Sequence, residues 1–193
     1  MSYQQIVKWE IIPLTLPMVK KNCCKCGNNS LFINSNKFRV NANKNKLDIW
    51  LIYQCEKCKS TWNMSIYERI NYKDIDPTIY KLFLNNDIEL AKQYGFDIAI
   101  HNKNKVNIDY ENIEYEIIGE KIDILEENFN KKIILDITCK YPFGLRVDKV
   151  LSKKLGVSRE KIKKLHKNSL IYGDCKKDLL REKINNNIKI YIG

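Results

Sequence analysis

The clearest hydrophobic pattern lies in residues 144–193 and predicts two short helices and two strands. Apolar residues recur there at i, i+3, i+4 and i+8, the spacing of one helix face; they are Val147, Val150, Leu151 and Leu155. Gly156 follows this stripe and favours a helix stop, because glycine tolerates a positive φ. Ser158 then caps a second helix. The apolar runs 170–172 and 188–192 are typical of strands on either side of a turn-rich segment.

The second helix carries a row of positive charge beside its apolar edge. Ile162 and Leu165 form that edge. Arg159, Lys163 and Lys167 repeat every four residues along another face. Long cationic side chains at this spacing present several charged groups to a row of phosphates, and binding releases condensed counterions. A solvated lysine-rich helix face is the simpler alternative.

Alternating residues upstream predict a β-hairpin between two cysteine pairs. Its strands cover 37–42 and 47–53, with a turn over 43–46. Each pair has the spacing C-x-x-C, which aims two thiolates at one point, so that two pairs complete a four-thiolate shell. Cys24 is left outside this shell, since its spacing from Cys26 chelates poorly. The predicted ligands are Cys23, Cys26, Cys55 and Cys58.

The cysteine pattern indicates a zinc ribbon. Seven cysteines are an odd number, and the two close pairs point to metal binding rather than to disulfides. A shell of four cysteines has no open coordination position, so the metal is expected to be structural and not catalytic. Zinc is the predicted occupant, and iron in a rubredoxin-like site is the alternative.

The middle of the chain alternates helix and strand signals. An aspartate followed by proline marks a helix start, and alternation of apolar and polar residues marks a half-buried strand. The first predicted helix is capped by Asp76, has Pro77 at its first position and ends near Leu84. The second is capped by Asp87 and ends near Gly95. Strands are predicted over 113–117 and 133–137.

Charge divides the chain into three segments. Residues 1–70 carry 11 basic and 4 acidic groups, residues 71–143 carry 9 and 14, and residues 144–193 carry 14 and 5, for a net charge of +11. Lysine-rich codon usage would spread lysine evenly, so an acidic middle between basic ends favours a nucleic-acid ligand. We predict an α+β protein with a zinc-ribbon hairpin domain, an acidic α+β module and a C-terminal domain of two helices and strands, in that order.

The C-terminal segment also carries a recognisable set of motif residues. These are Arg146, Asp148-Lys149, Leu151, Ser158-Arg159, Lys164-Leu165 and the strands 170–172 and 188–192. Together they resemble the S-four-type RNA-binding domain of ribosomal proteins, pseudouridine synthases and some tRNA synthetases. That family usually has a glycine where Ser169 stands, and an Asn-Gly turn where this chain has Gly173-Asp174. The resemblance implies an RNA ligand, with contacts expected from Arg146, Lys149, Lys153, Arg159, Lys163, Lys164 and Lys167.

A second resemblance covers most of the chain. Residues 37–69, with the upstream cysteine pair and the basic C-terminal segment, resemble a bacterial family described only as a domain of unknown function. The resemblance implies that the ribbon and the C-terminal domain occur together as one architecture. It implies no activity.

The hairpin offers further basic and aromatic residues. An additional basic surface is predicted from Lys37, Arg39, Lys44 and Lys46. Trp50, Tyr53 and Trp62 lie around the second cysteine pair. They are either stacking platforms for unpaired bases or a cover for the small core of the ribbon, and the second interpretation is favoured.

Several protein classes find no support in the sequence. His101 and His166 have no serine or cysteine partner at a motif spacing, and the seven glycines form no phosphate-cradling loop. No stretch approaches the ~20 apolar residues that span a bilayer. The first residues lack a basic n-region, which argues against a signal peptide, so a cytoplasmic protein is expected.

We therefore expect a non-enzymatic protein that binds structured RNA, with ribosomal RNA as one candidate, and that contains structural zinc. Two other classes stay open. One is an RNA-processing or RNA-modifying enzyme whose site lies in residues 71–143. The other is a zinc-ribbon adaptor that binds a protein partner through its zinc hairpin and acidic module. A solvated acidic face explains the charge of that module more simply.

Overall fold

The computed structural model describes residues 5–122, 132–174 and 178–193, so residues 175–177 of the predicted turn-rich segment lie outside it. The strands are β1 (Gln5–Pro13), β2 (Met18–Cys23), β3 (Gly27–Asn43), β4 (Lys46–Cys55), β5 (Thr61–Asn71), β6 (Asn107–Asp109), β7 (Tyr115–Ile118), β8 (Ile133–Cys139), β9 (Ile171–Gly173) and β10 (Asn186–Ile192). The helices are α1 (Pro77–Leu84), α2 (Ile88–Phe96), α3 (Ile98–Lys103), α4 (Val147–Leu155) and α5 (Arg159–Lys167), with 3-10 turns at Tyr72–Asp74 and Leu179–Arg181. The predicted α+β class is confirmed.

The chain folds into two compact units. The terminal unit contains Met1–Leu14 and Glu114–Gly193, and the cysteine unit contains Thr15–Ile113. Within the terminal unit, the backbone N–H of Leu14 donates to the carbonyl of Glu114 at 2.8 Å. The residues that flank the cysteine unit in sequence are therefore neighbours in the terminal unit.

The packing divides the chain differently from the three predicted segments. The boundaries at 1–70, 71–143 and 144–193 follow charge, whereas β1 joins the terminal unit because it pairs in parallel with β8. Helices α1, α2 and α3 join the cysteine unit. The acidic middle of the sequence is thus shared between two units.

The cysteine unit is an antiparallel sheet in the order β5-β4-β3-β2-β6. Alternate residues of β4 face the core, and Leu47, Ile49 and Leu51 are at most 1% exposed. Helix α1 covers this face, where the ring of Phe83 meets that of Phe38 edge-on with centroids 4.9 Å apart. The predicted hairpin is confirmed, although β3 begins ten residues before the expected position 37.

The first half of β3 is interrupted by a bulge between Asn34 and Lys37. The Asn34 side chain accepts from the backbone N–H of Asn36 at 2.8 Å and donates to the carbonyl of Ala91, in α2, at 3.3 Å. One buried amide therefore shapes the bulge and attaches a helix to it.

The terminal unit is a sheet in the order β7-β1-β8-β10-β9, in which only the β1–β8 pair is parallel among the described strands. In β1, Val7, Trp9 and Ile11 are at most 3% exposed, whereas Ile6 on the opposite face is 63% exposed. The sheet thus has one buried and one open face. The predicted apolar stripe of α4 is buried at Val147, Val150 and Leu151.

The predicted helix boundaries of α4 and α5 are confirmed by local geometry. Gly156 ends α4 with φ +67°. The Ser158 hydroxyl accepts from the backbone N–H of Lys161 at 3.1 Å and begins α5. Upstream, Asp76 and Asp87 cap α1 and α2 as expected.

Replacing Gly119 with alanine is expected to lower the free energy of unfolding by about 3 kcal/mol or more. Gly119 has φ +129°, and an added Cβ would lie 2.2 Å from the carbonyl oxygen of Lys8 and 2.7 Å from Cδ1 of Trp9. Urea unfolding followed by circular dichroism would measure the loss. Gly156→Ala is the matched control, because Gly156 also has a positive φ but nothing within 4 Å, and it is expected to cost only about 1 kcal/mol. Equal losses for the two variants would contradict the clash.

Candidate functional site

The four predicted ligands form one cluster in the cysteine unit. The sulfur atoms of Cys23, Cys26, Cys55 and Cys58 all lie within 4.8 Å of one another. The sulfur atoms of Cys23 and Cys58 are 3.5 Å apart, and those of Cys26 and Cys55 are 4.0 Å apart. The clustering predicted from two C-x-x-C pairs is therefore confirmed.

Each cysteine pair sits on a tight turn between two strands. The first turn links β2 to β3, where Gly27 has φ +87°. The second links β4 to β5, where the backbone N–H of Lys59 donates to the carbonyl of Cys55 at 3.0 Å and Lys59 has φ +61°. In both turns the residue directly after the second cysteine has a positive φ, and this reverses the chain around the sulfurs.

The sulfur geometry fits a tetrahedral metal site. Zinc bonded to four thiolates at about 2.3 Å requires sulfur–sulfur edges of about 3.8 Å, and the observed separations fall on both sides of that value. Cys23 and Cys55 are buried, and Cys26 and Cys58 are half-buried. With four protein ligands the shell is complete, so a metal held here would support the fold rather than bind substrate.

Ser60 is a member of this site that the sequence reasoning missed. Its hydroxyl oxygen lies 2.9 Å from the sulfur of Cys58 and 3.4 Å from that of Cys23. This hydrogen bonding lowers the pKa of Cys23 to about 6 and also lowers the pKa of Cys58. Hydrogen bonding with Cys58, together with desolvation, raises the pKa of Cys26 to about 12. A hydroxyl two residues after the second C-x-x-C pair was the available signal.

The remaining described cysteines stay outside the cluster. Cys24 is exposed and is not among the four, as its spacing predicted. Cys139 is buried in the terminal unit, where its thiol donates to the carbonyl of Tyr141 at 3.4 Å. Burial raises the pKa of Cys139 to about 11. Neither residue has the geometry of a ligand to the cluster.

The three aromatic residues around the second pair divide between the two faces of the sheet. Tyr53 is fully buried, and Trp62 packs on it with ring centroids 5.5 Å apart. For these two residues the core interpretation is confirmed. Trp50 lies on the opposite face, opposite Arg39 and Ser65 on the neighbouring strands. It does not belong to the core.

Both histidines have structural contacts. His101 is 1% exposed; its Nδ1 donates to the carbonyl of Asp97 at 2.7 Å, and Nε2 lies 3.5 Å from the Tyr53 hydroxyl. Burial lowers the pKa of His101. In the terminal unit, Nδ1 of His166 donates to the carbonyl of Ile171 at 2.7 Å and links α5 to β9. Only the other edge of the His166 ring is then left for solvent or a phosphate.

Two of the predicted RNA-contacting arginines converge on one carboxylate. Asp148 lies in the first turn of α4 and is fully buried. Arg146 donates to it through Nε at 3.2 Å and Nη2 at 2.9 Å. Arg159, at the start of α5, donates through Nε at 3.1 Å and also through Nη2. The sequence reasoning included Asp148 in the family pattern but assigned it no role.

The predicted lysines have two different environments. On α4, Lys149 and Lys153 lie over the ring of Tyr115, at 5.8 and 3.8 Å from its centroid, and Lys153 also donates to the carbonyl of Tyr115 at 2.7 Å. They are therefore held against β7. On α5, Lys163, Lys164 and Lys167 are exposed. The positive charge available to a ligand is thus concentrated on α5.

The additional basic residues lie on the hairpin of the cysteine unit. Lys37 and Arg39 are exposed on β3, on the face that carries Trp50. Lys44 is in the turn with φ +54°, and Lys46 begins β4 opposite Asn43. The four residues therefore occupy the strand face and the tip of one hairpin.

The fold and the cluster define an α+β protein with a four-cysteine site on a β-hairpin sheet. The chain belongs to the family described as "Protein of unknown function (DUF1062)", which matches residues 40–177. This match confirms the predicted resemblance to a family of unknown function. It covers the second cysteine pair and the described helices α1 to α5. No curated protein matches the chain, and no solved structure does. The described helices are all too short and polar to traverse a bilayer.

Proposed function

We propose that this protein binds structured RNA through α4 and α5 in the cytoplasm, without catalysing a reaction, and that a structural zinc ion holds its four-cysteine site. The observation that carries the proposal is the pair of arginines fixed by Asp148 at the starts of two adjacent helices. Exposed lysines continue from this pair along α5. The combination forms a preorganised cationic surface.

The arginines keep part of their donor capacity for a ligand. Their side chains are 40% and 51% exposed although both contact a fully buried carboxylate. Each guanidinium has five N–H donors in a fixed fork, so the contacts with Asp148 leave donors that can face a phosphate. Because the side chains are already ordered, less conformational entropy is lost when a phosphate binds.

The start of α5 adds to the attraction for phosphate. Helix N-termini carry unpaired N–H groups and a partial positive charge, and Arg159 is the first residue of α5. Lys163 and Lys167 follow it at intervals of four residues, which places all three on one side of the helix. A phosphate backbone lying along α5 would meet these charges in succession.

The order of elements also supports an RNA ligand. Two helices, a short strand and a closing strand follow one another in residues 147–192, and β9 pairs antiparallel with β10. This order agrees with the resemblance to the S-four-type domain. Ser169 has φ +59°, a conformation that glycine adopts most easily, and glycine is the residue that the S-four family usually has there.

Zinc is the ion that best suits the cluster. Four thiolates in a closed tetrahedral arrangement are the usual structural zinc ligands, and softer sulfur ligands also accept iron. No open position exists for a reacting molecule among these four ligands. The proposed role of the ion is therefore to hold the two turns of the cysteine unit together.

Binding of a structured RNA is expected to fall steeply with salt and to depend on α5. Replacing Lys163, Lys164 and Lys167 with alanine should reduce the slope of log affinity against log salt by about 2 to 3, since each phosphate neutralised on a duplex contributes about 0.9. Fluorescence anisotropy with a labelled RNA hairpin, titrated at several salt concentrations, measures this slope.

The matched control removes the same charge elsewhere. Lys73, Lys81 and Lys105 are exposed residues of the cysteine unit, and their replacement with alanine should leave the slope close to that of the wild type. Equal effects of the two triple variants would mean that only overall charge matters. No measurable hairpin binding by the wild type would reject the proposed function.

A further inference from the structure

The cysteine unit has a second sheet face that its own helices do not cover. We call it the outer sheet face and define it by Lys37, Arg39, Trp50, Ile52 and Asn63. Cross-strand pairing places these residues on one side, because Arg39 is opposite Trp50 and Ile52 lies between Lys37 and Asn63. Residues directly opposite in a sheet share a face.

The alternation of burial separates this face from the core. Neighbouring residues Phe38, Leu51 and Met64 point the other way and are at most 8% exposed. Phe83 of α1 and His101 of α3 pack against that core side through Phe38 and Tyr53. On the outer sheet face the lysine and the arginine are exposed, and the other three residues are half-buried.

The outer sheet face combines an aromatic ring with cations. The guanidinium carbon of Arg39 lies 5.9 Å from the centroid of the Trp50 ring, and Lys37 is two residues away on the same strand. Two carboxylates lie on this side and both have partners. Asp48 accepts a hydrogen bond from the backbone N–H of Arg69 at 2.9 Å. Glu68 accepts from the hydroxyl of Ser65, the residue opposite Trp50, at 2.6 Å and lies 3.6 Å from the Lys103 ammonium. Aromatic rings next to arginine and lysine on an open sheet are the usual elements of single-strand recognition.

On the edge strand β5, backbone groups of Ser65 and Ile66 are already paired with α3 and the residue that follows it. At Ser65 in β5, the backbone N–H donates to Oδ1 of Asn104 at 2.9 Å, and Nδ2 of Asn104 donates to the Ser65 carbonyl at 2.8 Å. Lys103 donates to the carbonyl of Ile66 at 3.1 Å. A protein partner that adds a strand needs such groups unpaired, so the geometry favours a ligand that binds the face.

We propose that the outer sheet face binds unpaired RNA bases, with one base stacked on Trp50 and the adjoining phosphates contacted by Arg39 and Lys37. The choice of RNA as the ligand rests on the proposed function, whereas the site itself is separate from α4 and α5. A tryptophan ring offers stacking area to any base, so the site is expected to tolerate sequence variation.

Trp50→Leu is expected to weaken binding of a labelled oligouridylate of about twelve nucleotides roughly tenfold to a hundredfold, the usual cost of losing one stacked base. Because stacking is uncharged, the salt slope should stay unchanged. Arg39→Ala should instead reduce that slope by about 0.7. Arg39 is exposed, so this second variant tests the site even if Trp50→Leu perturbs the fold.

Tyr72→Leu is the matched control. Tyr72 is an aromatic residue of the same unit that is 52% exposed and lies beyond β5, so its replacement should leave oligouridylate binding unchanged. Loss of affinity in Trp50→Leu and Arg39→Ala but not in Tyr72→Leu supports the proposal. Wild-type affinity in both test variants, or capture of a protein on this face that RNA does not displace, overturns it.

The two proposals fail in different ways. If the hairpin RNA binds through α5 while the Trp50 and Arg39 variants bind the oligouridylate normally, the outer sheet face is not a site and the proposed function stands. If the oligouridylate binding depends on Trp50 while the α5 variant binds the hairpin normally, the outer sheet face is a site and the proposed binding through α5 fails. Absence of binding to both probes rejects both proposals.

Discussion

Cys55→Ser should lose the bound metal and unfold the cysteine unit. Cys55 is fully buried, and its sulfur belongs to the cluster of four. Structural zinc contributes an apparent ~10–16 kcal/mol to the folding of small zinc units, which is comparable with the whole stability of a domain, ~5–15 kcal/mol. Metal analysis of the purified protein and circular dichroism during unfolding measure the two effects. We expect about one zinc ion per wild-type chain, as four ligands complete one shell.

Cys24→Ser is the matched control for this prediction. Cys24 is adjacent to a ligand in sequence but is exposed and outside the cluster, so its variant should keep both metal and stability. Addition of a strong chelator to the wild type should reproduce the effect of Cys55→Ser. A wild-type protein that contains well under one metal per chain, and that stays folded in chelator, would refute the metal site.

Asp148→Asn should destabilise the terminal unit and also weaken RNA binding. The substitution keeps the shape of the side chain but removes the charge that holds Arg146 and Arg159. Breaking a buried ion pair costs ~3–5 kcal/mol when the remaining charge is buried. Both arginines are partly exposed, so we expect a smaller loss of about 2–3 kcal/mol after discounting for solvent screening. Urea unfolding measures this loss.

The accompanying loss of RNA affinity tests the role given to the arginines. If ordered guanidinium groups contact phosphate, Asp148→Asn should weaken hairpin binding even though it makes the protein more positive. Asp178→Asn is the matched control, since Asp178 and Arg181 form an ion pair at 3.3 Å with side chains 55% and 78% exposed. The control should change stability by less than about 1 kcal/mol. Tighter hairpin binding by Asp148→Asn would show that only net charge counts.

Local signals allowed much of the secondary structure to be predicted. Asp76 and Asp87 cap α1 and α2, and Gly156 ends α4 in the left-handed conformation. In each case the residue itself supplies the physical cause, a hydrogen bond to the first turn or freedom to adopt positive φ. The predicted hairpin turn is also present, but its positive φ of +54° falls on Lys44, a residue that does not itself favour that conformation.

Contacts between distant parts of the chain could not be predicted in this way. The Thr138 hydroxyl donates to the carbonyl of Trp9, a residue 129 positions away, and no local pattern indicates that β1 pairs with β8. The bulge in β3 is equally non-local, because its Asn34 side chain is satisfied by the carbonyl of Ala91 in α2. The segment boundaries predicted from charge therefore differ from the boundaries of the two compact units.

The candidate sites also combine features that follow from local spacing with features that depend on distant contacts. The cysteine cluster follows from a spacing rule, since C-x-x-C constrains two sulfurs whatever the rest of the fold. Arg146 and Arg159, by contrast, were predicted as phosphate contacts alone. That they share Asp148 depends on how α4 and α5 cross, and a sequence pattern contains no such information. Ser60 combines both kinds of contact: its nearness to Cys58 is local in sequence, whereas its contact with Cys23 depends on how the two turns meet.

The hydrogen bond between Leu14 and Glu114 has a consequence for synthesis on the ribosome. Strand β1 is translated before the cysteine unit, and its partners β7 and β8 emerge only after the whole of Thr15–Ile113. The whole cysteine unit is therefore synthesised while β1 still lacks its partner strands. The nascent chain must keep that apolar strand out of wrong pairings for the time needed to translate about a hundred residues.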